Sequence, residues 1–146
     1  MGAQASSEVR VNRYLLDTNV VSELRKNKPH DAVLSWFSGL QDTQIYLSAV
    51  TLGELQAGVE LTRQQDVAKA EQIEQWLEKL AESYSILSMD AACFREWARL
   101  MSGKPNRLIP DAMIAATARL HQLIVASRNE RDFGQLSIQV FNPFTS

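Results

Sequence analysis

Tyr14-Leu-Leu-Asp-Thr-Asn-Val-Val-Ser-Glu23 changes its hydrophobic period in the middle. Tyr14 to Leu16 is a short apolar run, whereas Val20, Val21 and Leu24 recur at helical spacing. The stretch therefore predicts a strand ending at Asp17, a turn and a helix. The same unit recurs down the chain. Ile45-Tyr-Leu47 leads through Ser48 into a helix over 49–61, with Val50, Leu55 and Val59 on one stripe. Residues 66–83 are charged, free of Gly and Pro, and carry Val67, Ala70, Ile73, Leu77 and Leu80 at helical spacing. Ser85-Ile-Leu87 reads as a third strand, Asp90 as the N-cap of a helix over 91–101, and Gly103 and Pro105 as its stop. Pro110 suits the first turn of a helix over 111–121 whose Ile114 and Ala118 face inward. Residues 123–126 form a fourth strand and 138–141 a candidate fifth. Short strands alternating with helices predict an α/β fold: a central, mainly parallel sheet of four to five strands flanked by helices.

A chain of 146 residues, 45% hydrophobic, can build one domain with a real core, while two domains of half the size would each be marginal. Residues 13–146 are expected as a single domain and 1–12 as a flexible N-terminal tail. Met1 to Ser6 fits the loose N-myristoylation pattern, but so few positions are specified that a plain polar tail explains it better. With 15 basic and 17 acidic side chains the formal charge is −2. That excludes binders that coat nucleic acid by bulk positive charge and confines any such contact to local patches. Candidate patches are Arg25, Lys26 and Lys28, then Lys104 and Arg107, then Arg128 and Arg131. Cys93 is the only cysteine, so neither an internal disulfide nor a cysteine-ligated zinc site can form, in keeping with a reducing compartment. No apolar run reaches the roughly 18 residues of a membrane span, and no signal peptide is evident. A cytoplasmic location without membrane contact is expected.

In an open parallel sheet, ligands gather beyond the carboxyl ends of the strands, near the point where strand order reverses. Asp17 ends the first strand, Glu54 lies one turn into the helix after the second, Asp111 starts the late helix, and Asp132 follows the fourth strand. These acids can meet at one rim. Each also has an ordinary role. Asp17 can cap the next helix, Thr51-Leu-Gly-Glu54 has the spacing of a capping box, Asp111 beside Pro110 suits the helix dipole, and Asp132 can cap a turn. Singly, capping explains each better; their combination points to a site.

Tyr14 to Glu23, Leu47-Ser-Ala-Val-Thr-Leu-Gly-Glu-Leu55, Pro110-Asp-Ala-Met-Ile-Ala-Ala-Thr-Ala118 and Ala126-Ser-Arg-Asn-Glu-Arg-Asp-Phe133 occur in that order, with Val140-Phe-Asn-Pro-Phe144 at the close. Together they resemble the successive motifs of PIN-domain ribonucleases, particularly the VapC-like and FitB-like toxins of bacterial toxin–antitoxin pairs. The likeness runs from about residue 13 to the end. It implies a PIN-like three-layer sandwich, metal-dependent endoribonuclease activity, and Asp17, Glu54 and Asp111 as metal-binding and catalytic acids. At the fourth acidic position some relatives have an acid where this chain has Asn129, others one three residues later, where it has Asp132. Asp132 is favoured, with Asn129 as a neutral ligand or substrate contact. Ser127 stands where many relatives have Thr and keeps a hydroxyl for a water or phosphate; Asn19 and Arg128 join it as substrate or supporting residues. Pro110 departs from the commoner small or polar residue. The resemblance further implies an RNA substrate, a homodimer, and a cognate VapB-like or FitA-like antitoxin that holds the toxin inactive and carries any larger assembly to operator DNA. The alternative is a non-catalytic PIN-fold subunit serving only as regulatory partner of a DNA-binding antitoxin.

Electrostatics explains why these residue types belong together. Two carboxylates about 4 Å apart repel by roughly 4 kcal/mol at an effective dielectric near 20, so convergent acids need a cation. Ligation by oxygen alone favours Mg²⁺, with Mn²⁺ as a substitute, over zinc and leaves coordination positions for water and phosphate. Such an ion can acidify water for in-line attack on a phosphodiester, and no side-chain nucleophile is required. Competing chemistries lack parts. Asn19 stands where a haloacid-dehalogenase-like phosphatase needs its second aspartate. His30 after Pro29 and His121 in a helix's last turn fit helix ends better than a histidine-pair ribonuclease. Cys93, among Ala92, Phe94 and Trp97, reads as a packing thiol, and Trp36, Trp76 and Trp97 lie on predicted helices where packing is the default.

Overall fold

The computed structural model describes residues 11–145; the N-myristoylation pattern and nearly all of the expected tail lie outside the described residues. One all-parallel sheet contains β1 (Tyr14–Leu16), β2 (Ile45–Ser48), β3 (Ser85–Leu87), β4 (Ile124–Ala126) and β5 (Val140–Phe141), in the spatial order β3-β2-β1-β4-β5. The helices are α1 (Thr18–Arg25), α2 (Asp31–Ser38), α3 (Ala49–Arg63), α4 (Val67–Ser83), α5 (Ala91–Met101), α6 (Ile109–His121) and α7 (Glu130–Gln135). Among the described residues no helix is long and apolar enough to cross a membrane.

β1 is the central strand, and all of its residues are buried because helices cover both faces. Side-chain alternation then divides the core. Tyr14 and Leu16 pack with Val20, Val21 and Val33 from α1 and α2 on one face. Leu15 packs on the other with Ala112, Ile114 and Ala115 from α6 and Phe133 from α7. The alanines of α6 bring that helix close to the sheet, completing a three-layer sandwich. Val59, Ala70 and Leu77 form a smaller core between α3 and α4. The expected packing roles hold for Trp36, edge-on to Tyr14 at 5.1 Å between ring centres, and for Trp97, whose indole donates to the Ile109 carbonyl at 3.2 Å. Cys93 is buried, which pushes its thiol pKa up.

β5 is shorter than the expected 138–141, and α7 arises where only a turn was expected around Asp132. α7 is six residues long, contains Gly134 and buries only Phe133, so it has no apolar stripe for periodicity to reveal. From β1 the chain moves outward through β2 and β3 on one side, then returns to place β4 and β5 on the other. The switch point therefore lies between the carboxyl ends of β1 and β4. Leu15 is 0% exposed at this centre. Leu15→Ala is expected to lower the unfolding free energy by about 2–5 kcal/mol, seen as a lower urea midpoint.

Candidate active site

The last residue pulled into the sheet beside β1 is Asp17, whose N–H donates to the Ala126 carbonyl at 2.9 Å. Its side chain then caps α1. Oδ1 accepts from the Thr18 N–H at 2.9 Å, while Oδ2 accepts from Ser127 Oγ at 2.7 Å and Asn19 Nδ2 at 3.1 Å. The capping and site readings thus coincide: capping is how the fold aims this carboxylate. Burial raises its pKa, opposed chiefly by the Ser127 hydrogen bond.

Ser127 is 0% exposed and uses its full hydroxyl capacity. Besides donating to Asp17, it accepts from the Asn129 N–H at 2.9 Å and from Asn19 Nδ2 at 3.1 Å. Asn19 Oδ1 in turn accepts from the Arg128 N–H at 3.1 Å. The first turn of α1 is therefore stapled to the segment after β4. Arg128 enters this network through its backbone only; its guanidinium lies 3.8 Å from the Phe144 ring centre and 3.9 Å from Glu23.

Glu54 arrives differently from the capping-box reading. Ser48, directly at the end of β2, caps α3 by accepting from the Val50 N–H at 3.0 Å. Thr51 and Glu54 consequently lie inside the helix. Thr51 is buried, whereas Glu54 points outward and accepts from Thr18 Oγ1 at 2.6 Å. Thr18 Oγ1 is also 3.2 Å from Thr51 Oγ1. Sequence reasoning passed over Thr18, although its place immediately after Asp17 is the signal that could have found it.

Asp111 sits in the first turn of α6 after Pro110. Asn129 Nδ2 donates to both Asp111 Oδ2 and Asp132 Oδ2, each at 3.0 Å, so the two candidates for the fourth position belong to one constellation. The other oxygen of Asp132 pairs with Arg107 at 2.8 Å. That contact holds the Asp132 pKa below the usual carboxylate range and occupies a cation expected to meet substrate. Asp111 is pushed up to about 6, first by burial and then by the negative charges of Asp17, Asp132 and Glu54, with Arg107 opposing. Asp17, Glu54 and Asp132 therefore all act electrostatically on Asp111, and a chain of hydrogen bonds runs Asp17–Ser127–Asn129–Asp111.

The chain belongs to the PIN domain family, whose model matches residues 14–138. It is 35% identical over 137 residues to Toxin FitB of Neisseria gonorrhoeae, spanning 89% of this chain and 97% of that protein. It is 33% identical over 137 residues to VapC ribonuclease Y4jK of Sinorhizobium fredii, spanning 89% and 96% respectively. The crystal structure of FitAcB from Neisseria gonorrhoeae matches with a TM-score of 0.83 at 34% identity, covering 91% of this chain and 99% of that one.

Among the described residues, no three His, Cys, Asp or Glu side chains are grouped as a ready-made metal cage. Mg²⁺ does not require one, because it is commonly held by one or two carboxylates and completes its octahedron with water and phosphate. The donor chemistry fits such an ion: carboxylate oxygens with amide and hydroxyl neighbours, and an excess negative charge that raises Asp111.

Folded Asp111 binds its proton more tightly than an unfolded aspartate does, so between about pH 4 and 6 stability falls as pH rises, and the cost is fully present above 6. Asp111→Asn is accordingly expected to stabilise the metal-free protein at pH 7 by about 1 kcal/mol after solvent screening. Thermal unfolding in EDTA across this range checks it; a lower Tm at pH 7 would contradict the assignment. Ser127→Ala strands the partners of a saturated buried hydroxyl and should cost about 1–3 kcal/mol in chemical denaturation.

Proposed function

We propose that this protein is a metal-dependent endoribonuclease acting as the toxin of a toxin–antitoxin pair. The observation that carries this reading is the hydrogen-bonded acidic chain from Asp17 through Ser127 and Asn129 to Asp111, with Glu54 and Asp132 electrostatically coupled to it. Similarity to a VapC ribonuclease and to Toxin FitB supports it. Asp17, Glu54, Asp111 and Asp132 are assigned as catalytic acids and ligands of Mg²⁺, for which Mn²⁺ can substitute. When bound, the ion acidifies a water and neutralises charge developing on the phosphodiester.

The protein's own part is orientation. Ser127 and Asn19 fix one oxygen of Asp17, and Thr18 holds Glu54 towards the same rim. Arg107 keeps Asp132 ionised, and Asn129 spans Asp111 and Asp132 where a neutral donor can also meet substrate. Water attacks phosphorus, the bond to the 3′ oxygen breaks and that oxygen takes a proton, leaving a 5′-phosphate and a 3′-hydroxyl. The family likeness extends the proposal to a homodimer held inactive by a cognate antitoxin, which contacts operator DNA. A purely regulatory subunit would not need this set of acids.

Purified protein should cut RNA to 5′-phosphate ends, and both Asp17→Asn and excess EDTA should abolish cutting, beyond the roughly 10–100-fold effects typical of supporting residues. Calorimetric Mn²⁺ binding should vanish in Asp111→Ala. Undiminished cleavage by Asp17→Asn or in EDTA would overturn the mechanism.

A further inference from the structure

A groove leaves the acidic rim between α1, α3 and α4. Thr18 and Glu54 line its near end, Arg25 and Gly58 its middle, and Lys69 and Trp76 its far end; Arg25 and Ile73 line both halves, so the two adjoin. Glu54 is the only carboxylate along it and stands at the end nearest the acids. Outward from there the lining is neutral or cationic. A polyanion entering the acidic centre needs this polarity, with metal-binding acids at the cleaved bond and cations beside the flanking phosphates.

Several cations near the rim are already engaged. Lys26 and Arg128 are paired with Glu23, and Arg107 with Asp132. Arg25 and Lys69 are exposed and, among the described residues, have no carboxylate partner. Gly58 adds an independent observation. It lies within α3, where glycine costs roughly 0.5–1 kcal/mol relative to alanine, yet a Cβ there would meet no atom within 4 Å. The surface of α3 is therefore open at Gly58, as it is at Gly53, and a strand can approach the helix closely there.

Resting on the ribonuclease reading above, we propose that this groove binds single-stranded RNA flanking the scissile phosphate. Arg25 and Lys69 contact phosphates, Gly58 leaves room for the strand, and Trp76 offers a ring at the far end against which a base can stack.

The test measures cleavage of a mixed-sequence, fluorescein-labelled single-stranded oligoribonucleotide with Mg²⁺ across a salt series. The double variant Arg25→Ala/Lys69→Ala should raise KM roughly tenfold or more with kcat little changed. The dependence of log kcat/KM on log salt should become shallower by about 0.7 for each cation removed. Gly58→Leu should raise KM by obstruction without lowering the Tm, and calorimetric Mn²⁺ binding should be unchanged in every variant. If the wild type cuts this RNA and the variants match it in KM and salt dependence, the groove proposal fails while the ribonuclease reading stands. If the wild type cuts nothing, the ribonuclease reading fails, and fluorescence anisotropy with the same RNA judges the groove: binding lost in the double variant upholds it, and binding unchanged or absent in the wild type overturns it. Variants that retain RNA cleavage but escape inhibition by a co-expressed protein partner would mark the groove as a protein-docking surface and overturn the proposal.

Discussion

One hydrogen bond, from Ser127 Oγ to Asp17 Oδ2, joins residues 110 positions apart across the gap between β1 and β4. A carboxylate that is only 5% exposed is costly unless its oxygens are satisfied, and this hydroxyl, with the Asn19 amide, satisfies the oxygen that helix capping leaves open. The constraint propagates in both directions. Towards the sheet, it requires β1 and β4 to end level with each other, which their parallel register provides by placing Leu16 beside Ala126. Towards the site, the same hydroxyl orders the Asn129 backbone, and the Asn129 amide then draws Asp111 and Asp132 together.

Stability and chemistry pull against each other at this rim. The core would be content with neutral residues at positions 17 and 111, since burial raises the pKa of both acids. The sandwich tolerates them because buried apolar side chains lie on both sides of β1, with Leu15 serving one face and Tyr14 and Leu16 the other. The neutral donors Thr18, Asn19, Ser127 and Asn129 limit the cost of desolvation without removing the negative charge that a divalent ion would answer.

Most of the fold was legible in the sequence because parallel strands buried on both faces read as uninterrupted apolar runs, as in Tyr14-Leu-Leu16, and the longer helices carry clear stripes. α7 was illegible for the opposite reason: a helix of one and a half turns with a single buried Phe133 has no period to detect. In the site, the acids stood out by type and by their places after strands. Their supports did not. Thr18 holding Glu54 and Arg107 holding Asp132 depend on side-chain directions that only the assembled elements define. The capping-box spacing at Thr51 misled because Ser48, three residues earlier, had already taken the cap.

The separation of β1 from β4 in the chain also sets an order of assembly. Synthesis proceeds from the N-terminus, so Asp17 and Glu54 emerge well before Ser127. Until β4 is made, β1 has an open edge and Asp17 lacks its hydroxyl donor. The acidic centre is therefore a late product of translation: a chain released early contains its most recognisable motif but cannot complete the constellation around it.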